Sequence, residues 1–232
     1  MGQAITFAQQ KGGAGKTTVL AHLAAAWAEA GRSVAVMDLD PQQSLTRWAA
    51  LRADPAIALL ESRDYRAGGD IKAARRQHDL VLVDCPGAAS SLLENAMRES
   101  DLVLAPCQPS VMDVWATGSV IETTRKLKRP LRIVINRVPA RHGSVLDTAR
   151  KLKRPVRILL NRMPPRLGSL DEVLAALGDA RALLLATQLG NRNAYSQAVL
   201  TGRTAPEVSP RSTAAAETYG LRAELAALLA RL

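Results

Sequence analysis

Residues 9–18 read QQKGGAGKTT, directly after an apolar run at 5–8 and directly before an Ala/Leu-rich stretch. A strand, a glycine-rich turn and a helix in that order make a phosphate cradle. Glycines let backbone N–H groups converge on an anion, and the helix start adds the positive end of its dipole. In this frame Gly12, Gly13, Gly15 and Thr18 surround the phosphates, and Lys16 reaches the β- and γ-phosphates. The Thr17 hydroxyl can ligate Mg2+. The usual Walker pattern has glycine where this chain has Gln10; in exchange a second lysine, Lys11, stands before the paired glycines.

Three carboxylates extend the set. Asp84 ends the apolar run at 80–83, and Asp38 and Asp40 follow the one at 34–37. The carboxyl end of a buried parallel strand is where open α/β sheets bind ligands, and a carboxylate there can hold Mg2+ through water. Asp38 and Asp40 would also serve as plain turn residues ahead of Pro41. His22, His78 and His142 show no ligand spacing with one another or with Cys85 and Cys107. The cysteines lie in apolar contexts and read as small core residues of a reducing compartment, not as a disulfide. Trp27, Trp48 and Trp115 read as helix-face packing.

Groups at strand ends need a sheet that brings those ends level. Apolar runs of strand length fall at 5–8, 34–37, 57–60, 80–83, 102–105, 133–135, 158–160 and 183–186. Each is continuous, as parallel strands covered on both faces require. Helical patterns at 17–30, 44–52, 90–99, 114–128 and 170–177 alternate with them. The sum is a doubly wound, mostly parallel α/β sheet in a single domain, 1–232. In the Ala/Leu-rich tail, Leu221, Leu225, Leu228, Leu229 and Leu232 share a face that reads as core. The first residues read as a strand and not as a secretory leader, and no apolar run is long enough to span a membrane, so no stable membrane insertion is expected.

The formal net charge is +10, but it is unevenly spread. Residues 1–124 carry −3, residues 125–166 carry +13, and residues 167–232 balance. The basic segment contains a repeat: RKLKRPLRIVINRV at 125–138 returns as RKLKRPVRILLNRM at 150–163. Over residues 125–144 and 150–169, 14 of 20 positions are identical, and the differing strand positions stay apolar. The tandem units 125–149 and 150–174 thus each read as one αβ unit, and an additional strand and helix in the sheet is the favoured expectation. A copy extruded from the sheet or exchanged between protomers is the alternative. Since the repeat supplies about half the positive charge, the charge alone is weak evidence for nucleic acid.

KGGAGKTT with the early lysine resembles the deviant P-loop of the ParA/MinD family of ATPases. VAVMDLDPQ at 34–42, VLVDCPG at 81–87 and PCQPSVMD at 106–113 resemble that family's second strand and switch, its Walker B strand and its P-x-x-P-S-x-x-D segment. INRV at 135–138 resembles its nucleotide-base strand, and 189–207 more loosely resembles its C-terminal region. The resemblance implies ATP and Mg2+ as cofactors and slow, switch-like hydrolysis. It implies that Asp40 orients the attacking water, that Asp38 supports the metal, and that Lys11 reaches the partner's nucleotide in an ATP-sandwich homodimer. It places an asparagine near the adenine. Both Asn136 and Asn161 match, and Asn136 is preferred because its strand comes next after Pro106.

The partition branch, short ParA-like ATPases, fits best. It implies non-specific DNA binding by the dimer, with Arg192, Arg203 and the basic repeat as contacts, a ParB-like activating partner, and a cytoplasmic or nucleoid location. A nucleotide-binding scaffold whose catalysis the repeat impairs, and a MinD-like positioning ATPase, are the alternatives.

Overall fold

A computed structural model describes residues 1–62, 64–88, 90–138, 175–187 and 189–232. Strand and helix alternate: β1 (Gln3–Phe7), α1 (Lys16–Glu29), β2 (Val34–Asp38), α2 (Ser44–Arg52) and β3 (Ile57–Leu60). After a 3-10 turn at Asp64–Arg66 come α3 (Ala67–Ala74), β4 (Leu80–Asp84), α4 (Ser91–Arg98), β5 (Leu102–Cys107), α5 (Val111–Lys126) and β6 (Leu131–Val138). A second 3-10 segment, Gly178–Leu183, leads to β7 (Leu189–Gly190), α6 (Asn193–Val199), α7 (Ala205–Val208) and α8 (Thr213–Leu229).

The strands lie in the order β3-β2-β4-β1-β5-β6-β7, and every pairing is parallel. This is the doubly wound α/β sheet expected from the continuous apolar runs. Its core comes from aliphatic strand residues, among them Ile5, Val36, Leu82 and Leu104, all fully buried. With few aromatics in the chain, small residues let α1 approach closely: Ala21 and Ala24 are fully buried beside Leu20 and Leu23.

Register brings the carboxyl ends level. Asp84 pairs with Phe7 of β1 on one side and with Asp38 of β2 on the other. The phosphate loop, the Asp38–Asp40 turn and Asp84 therefore meet at one edge of the sheet. Serine side chains start the helices that follow β4 and β5: Ser90 accepts from Leu93 N–H and Ser110 from Asp113 N–H.

Three expectations are corrected. Residues 183–186 do not form a strand. Leu184 makes a single parallel bridge to Ile133, and the pairing strand is Leu189–Gly190. The reason is competition for donors: the N–H groups of Ala186 and Thr187 donate to the Glu224 carboxylate of α8 at 2.5 and 2.7 Å. Trp115 is exposed, unlike buried Trp27 and Trp48. Helix α5 packs through Asp113, Val114, Thr117, Val120 and Thr124, a helical stripe that Trp115 misses. Leu232 is also exposed, while Leu221, Leu225 and Leu229 are core and Leu228 is partly buried. Asn161, the run at 158–160, the start of the helix expected at 170–177 and the second repeat unit lie outside the described residues. So the extra αβ unit does as well.

Candidate functional site

The turn after β1 owes its shape to glycine at two positions. Gly13 has φ +78° and Gly15 φ +91°, a region that disfavours side chains. Gly15 is also the N-cap of α1, and no side chain caps that helix. The first amides of a 14-residue helix are thus left to an outside acceptor. Lys16 is buried and folds back over the loop, donating to the Gln9 carbonyl at 3.4 Å.

Thr17 and Asp84 face each other beneath this turn. Thr17 Oγ1 donates to Asp84 Oδ2 at 2.5 Å. Asp84 is fully buried, and its Oδ1 has no hydrogen-bond partner. Burial pushes its pKa up to about 7, against the opposing pull of Thr17 and Lys16. A buried carboxylate oxygen without a donor, beside a hydroxyl and a phosphate-binding turn, fits a divalent cation or one of its waters. Among the described residues no three His, Cys, Asp or Glu side chains form a ready-made metal cage. The Thr17 and Asp84 oxygens suit Mg2+, which takes few protein ligands and keeps water and phosphate oxygens.

Asp38 and Asp40 occupy the neighbouring turn. Asp38 Oδ1 accepts from Asp40 N–H at 3.1 Å, and its Oδ2 accepts from the Thr46 N–H and hydroxyl at 2.9 and 3.1 Å. Asp38 therefore ties β2 to α2. Asp40 accepts from Gln42 N–H through Oδ1 at 2.9 Å and is half-buried.

The P-x-x-P-S-x-x-D segment braces the loop from the other side. Lys11 Nζ lies 2.6 Å from Asp113 Oδ2. Gln108 Nε2 donates to the Gly13 carbonyl at 2.6 Å, and buried Gln9 donates to Thr117 Oγ1 at 2.9 Å and to the Pro106 carbonyl at 3.2 Å. Neither Gln9 nor Gln108 carries a spacing signal of its own, although both sit within the motifs quoted above.

A cavity of about 330 Å3 opens beside the loop, lined by Gly15, Thr18, His22, Asn136, Arg192 and Tyr195 among others. Buried Asn136 donates its amide to the Ala14 carbonyl at 2.8 Å. It packs so closely that a Cβ on Gly15 would lie 2.2 Å from its Nδ2. Arg192, expected as a DNA contact, is ion-paired with Glu217 at 2.6 Å, and that carboxylate also accepts from Gly190 N–H and Tyr195 OH. Arg203 is exposed and donates to the Glu207 carbonyl.

His22 is a structural residue that no spacing flagged. Its Nδ1 lies 2.8 Å from the Thr18 carbonyl, and its Nε2 accepts from Ala205 N–H at 2.9 Å. Those partners define a neutral ring with the proton on Nδ1. Burial lowers its pKa to about 4. The buried thiols are pushed the other way, Cys107 to about 12, as suits the core role expected of both cysteines.

A family model described as the CobQ/CobB/MinD/ParA nucleotide binding domain matches residues 5–204. The chain belongs to that family. Its ParA/MinD members are P-loop ATPases. The chain is 34% identical over 146 residues to the maintenance of carboxysome distribution protein A of Halothiobacillus neapolitanus, covering 59% of this chain and 67% of that protein. It is 36% identical over 113 residues to ParA of Rhizobium radiobacter, covering 47% of this chain and 50% of that one. The alignments thus span about half to two thirds of these relatives. Among solved structures, MinD of Pyrococcus furiosus superposes with a TM-score of 0.70 at 22% identity, covering 98% of this chain and 100% of that one. Apo McdA of Cyanothece superposes at 0.72 and 16% identity, covering 97% and 100%. At such identities the superpositions establish the fold.

Proposed function

We propose that this chain binds ATP with Mg2+ in the 9–18 loop and hydrolyses it slowly, as a switch that partitions or positions a cargo. The observation that carries the reading is the unpartnered Asp84 Oδ1 beside Thr17 under an uncapped helix start. Gly12, Gly13, Gly15, Lys16, Thr17 and Thr18 hold the phosphates. Thr17 and Asp84 hold the metal, with Asp38 behind them. Mg2+ held there would supply positive charge against the phosphate charge of the nucleotide. Asp40 orients the attacking water, and Asn136 secures the base-side strand against the loop. Asp38 acts mainly by fixing the turn that aims Asp40, since both its oxygens already accept hydrogen bonds.

Lys11 leaves Asp113 and bridges to the partner's nucleotide in an ATP-sandwich homodimer. The dimer binds DNA without sequence preference through phosphate contacts, using the basic residues that begin with exposed Arg125, Lys126 and Lys128, and an activating, ParB-like protein triggers its release. It works in the cytoplasm, on the nucleoid, as one domain. Helix α8 turns Leu221, Leu225 and Leu229 into the core, which favours this reading over a MinD-like membrane anchor made by that helix. No helix among the described residues is long and apolar enough to cross a membrane.

The test is ATP turnover and DNA mobility shift with the wild type and Lys16→Ala. ATP-dependent, salt-sensitive DNA binding and turnover that Lys16→Ala abolishes are expected. Turnover no higher than Lys16→Ala in the presence of DNA would leave a nucleotide-binding scaffold. DNA binding unchanged without ATP would reduce the DNA term to simple charge adhesion.

A further inference from the structure

Helix α2 starts from the Asp38–Asp40 turn. The Asp40 carbonyl accepts from Gln43 N–H at 2.9 Å, and Gln43 is the N-cap of α2. A shift of the helix is therefore passed to the turn that carries Asp40. Both flanks of α2 are strained: Gln43 has φ +52° and Ala53 φ +49°. Non-glycine residues keep such a backbone only where their surroundings hold it.

Asp38 holds the start of the helix through the Thr46 N–H and hydroxyl. The far end has little apolar packing, since the buried residues of α2 are Leu45 and Trp48, and Leu51 is exposed. Polar contacts hold it instead. Arg52 donates from Nη1 and Nη2 to the two carboxylate oxygens of Glu207, at 3.0 and 2.8 Å. This bidentate fork fixes orientation as well as distance. Glu207 is itself placed, because its carboxylate accepts from the Thr204 N–H and hydroxyl at 2.6 and 2.7 Å. The two segments also approach closely. Trp48 Nε1 donates to the Arg203 carbonyl at 3.4 Å, and a Cβ on Gly202 would lie 2.6 Å from Arg52 N. Residues 202–207 thus form a built joint with the last turn of α2, although Arg52 and Glu207 are 155 residues apart.

We propose that Arg52 and Glu207 are positioning residues for ATP hydrolysis: by fixing the far end of α2 they keep the Asp40 turn aimed at the attacking water. This rests on the ATP-hydrolysis reading above and adds the pair that holds its switch aspartate in place. Neither side chain lines the cavity beside the phosphate loop. The pair therefore acts on the turn and leaves nucleotide binding alone.

Turnover at saturating Mg-ATP, read beside calorimetric Mg-ATP affinity, separates the two effects. Arg52→Ala and Glu207→Gln should each lower turnover about tenfold, the scale of a misaimed catalytic group. Their Mg-ATP Kd should stay within about twofold of wild type. The double variant should lose no more than either single one, because both break the same contact. Arg52→Lys, which keeps the charge but not the fork, should fall between wild type and Arg52→Ala, and it guards against misfolding as the cause. A loss of affinity equal to the loss of turnover would make the pair a plain structural contact and overturn the proposal. Losses that add in the double variant would overturn it too, as would turnover at or above the wild-type level. A wild type whose turnover does not exceed that of Lys16→Ala would overturn the hydrolysis reading itself, and this inference with it. An active wild type matched by its variants would overturn this inference alone.

Discussion

Lys11 Nζ sits 2.6 Å from Asp113 Oδ2, so the lysine that heads the phosphate loop is held by the first turn of α5 in the same chain. Asp113 is almost fully buried, and its Oδ1 has no partner. Lys11 is the cation that compensates it. Lys11→Ala should therefore destabilise the chain by about 1–2 kcal/mol, the cost of leaving a buried carboxylate short of a partner. Adding Asp113→Asn should recover part of that loss, and thermal melts of the single and double variants measure it. Additive losses would mean that the pair does not couple. If Lys11 also acts across the dimer, Lys11→Ala keeps monomeric ATP binding and loses ATP-dependent dimerisation by size-exclusion chromatography.

Gly15 is the position where the loop tolerates no side chain. Its φ of +91° opposes Gly15→Ala, and so does Asn136 Nδ2, which would lie 2.2 Å from the added Cβ. The expected cost is about 1–3 kcal/mol. Nucleotide binding should fall further than stability, because Asn136 must leave the Ala14 carbonyl. Gly12→Ala is the control: a Cβ there meets nothing within 4 Å, so stability should barely change.

Asp84→Asn separates stability from function. Burial raises the Asp84 pKa to about 7 in the folded chain. A raised carboxylate contributes stability below its unfolded value near 4, and that contribution is lost as pH rises towards 7. Without Mg2+, Asp84→Asn should therefore be more stable than wild type at pH 8, by on the order of 1–3 kcal/mol, and indistinguishable near pH 4. Mg2+-dependent ATP affinity should drop sharply in the same variant. Melting curves at both pH values, with and without Mg-ATP, provide both readouts.

His22 sets the acid side of the profile. Its folded pKa near 4 lies below the ordinary 6.5 because the ring is buried neutral between Thr18 and Ala205. Stability from this residue is complete above pH 6.5 and is lost as pH falls towards 4, since the unfolded chain takes up the proton first. The full swing is on the order of 3 kcal/mol. In His22→Gln the slope of melting temperature between pH 6.5 and 4.5 should flatten; an unchanged slope would assign it to other groups.

Much of the site was legible because its parts are local. The phosphate turn is ten consecutive residues, and the carboxylates end apolar runs whose parallel pairing follows from their composition. The corrections have long-range causes. Residues 183–186 look like a strand until Glu224, some 38 residues on, takes the amides. Trp115 looks like packing until α5 settles on the stripe of Asp113, Thr117 and Val120. The ion pair of Arg192 with Glu217 of α8 is likewise long-range and carries no local signal.

By itself the sequence determined the fold class, the family, the glycine-rich turn and the placing of carboxylates at strand ends. These depend on periodicity and on spacing within short segments, where chain geometry leaves little choice. Only the tertiary structure decided that Lys11 meets Asp113, that Asn136 fastens to Ala14, that His22 bridges to Ala205, and that Arg137 takes a left-handed backbone. The first three pairs are 102, 122 and 183 residues apart. Partners at such separations are chosen by how helices and strands pack, and a single sequence does not spell out which buried donor will find which acceptor.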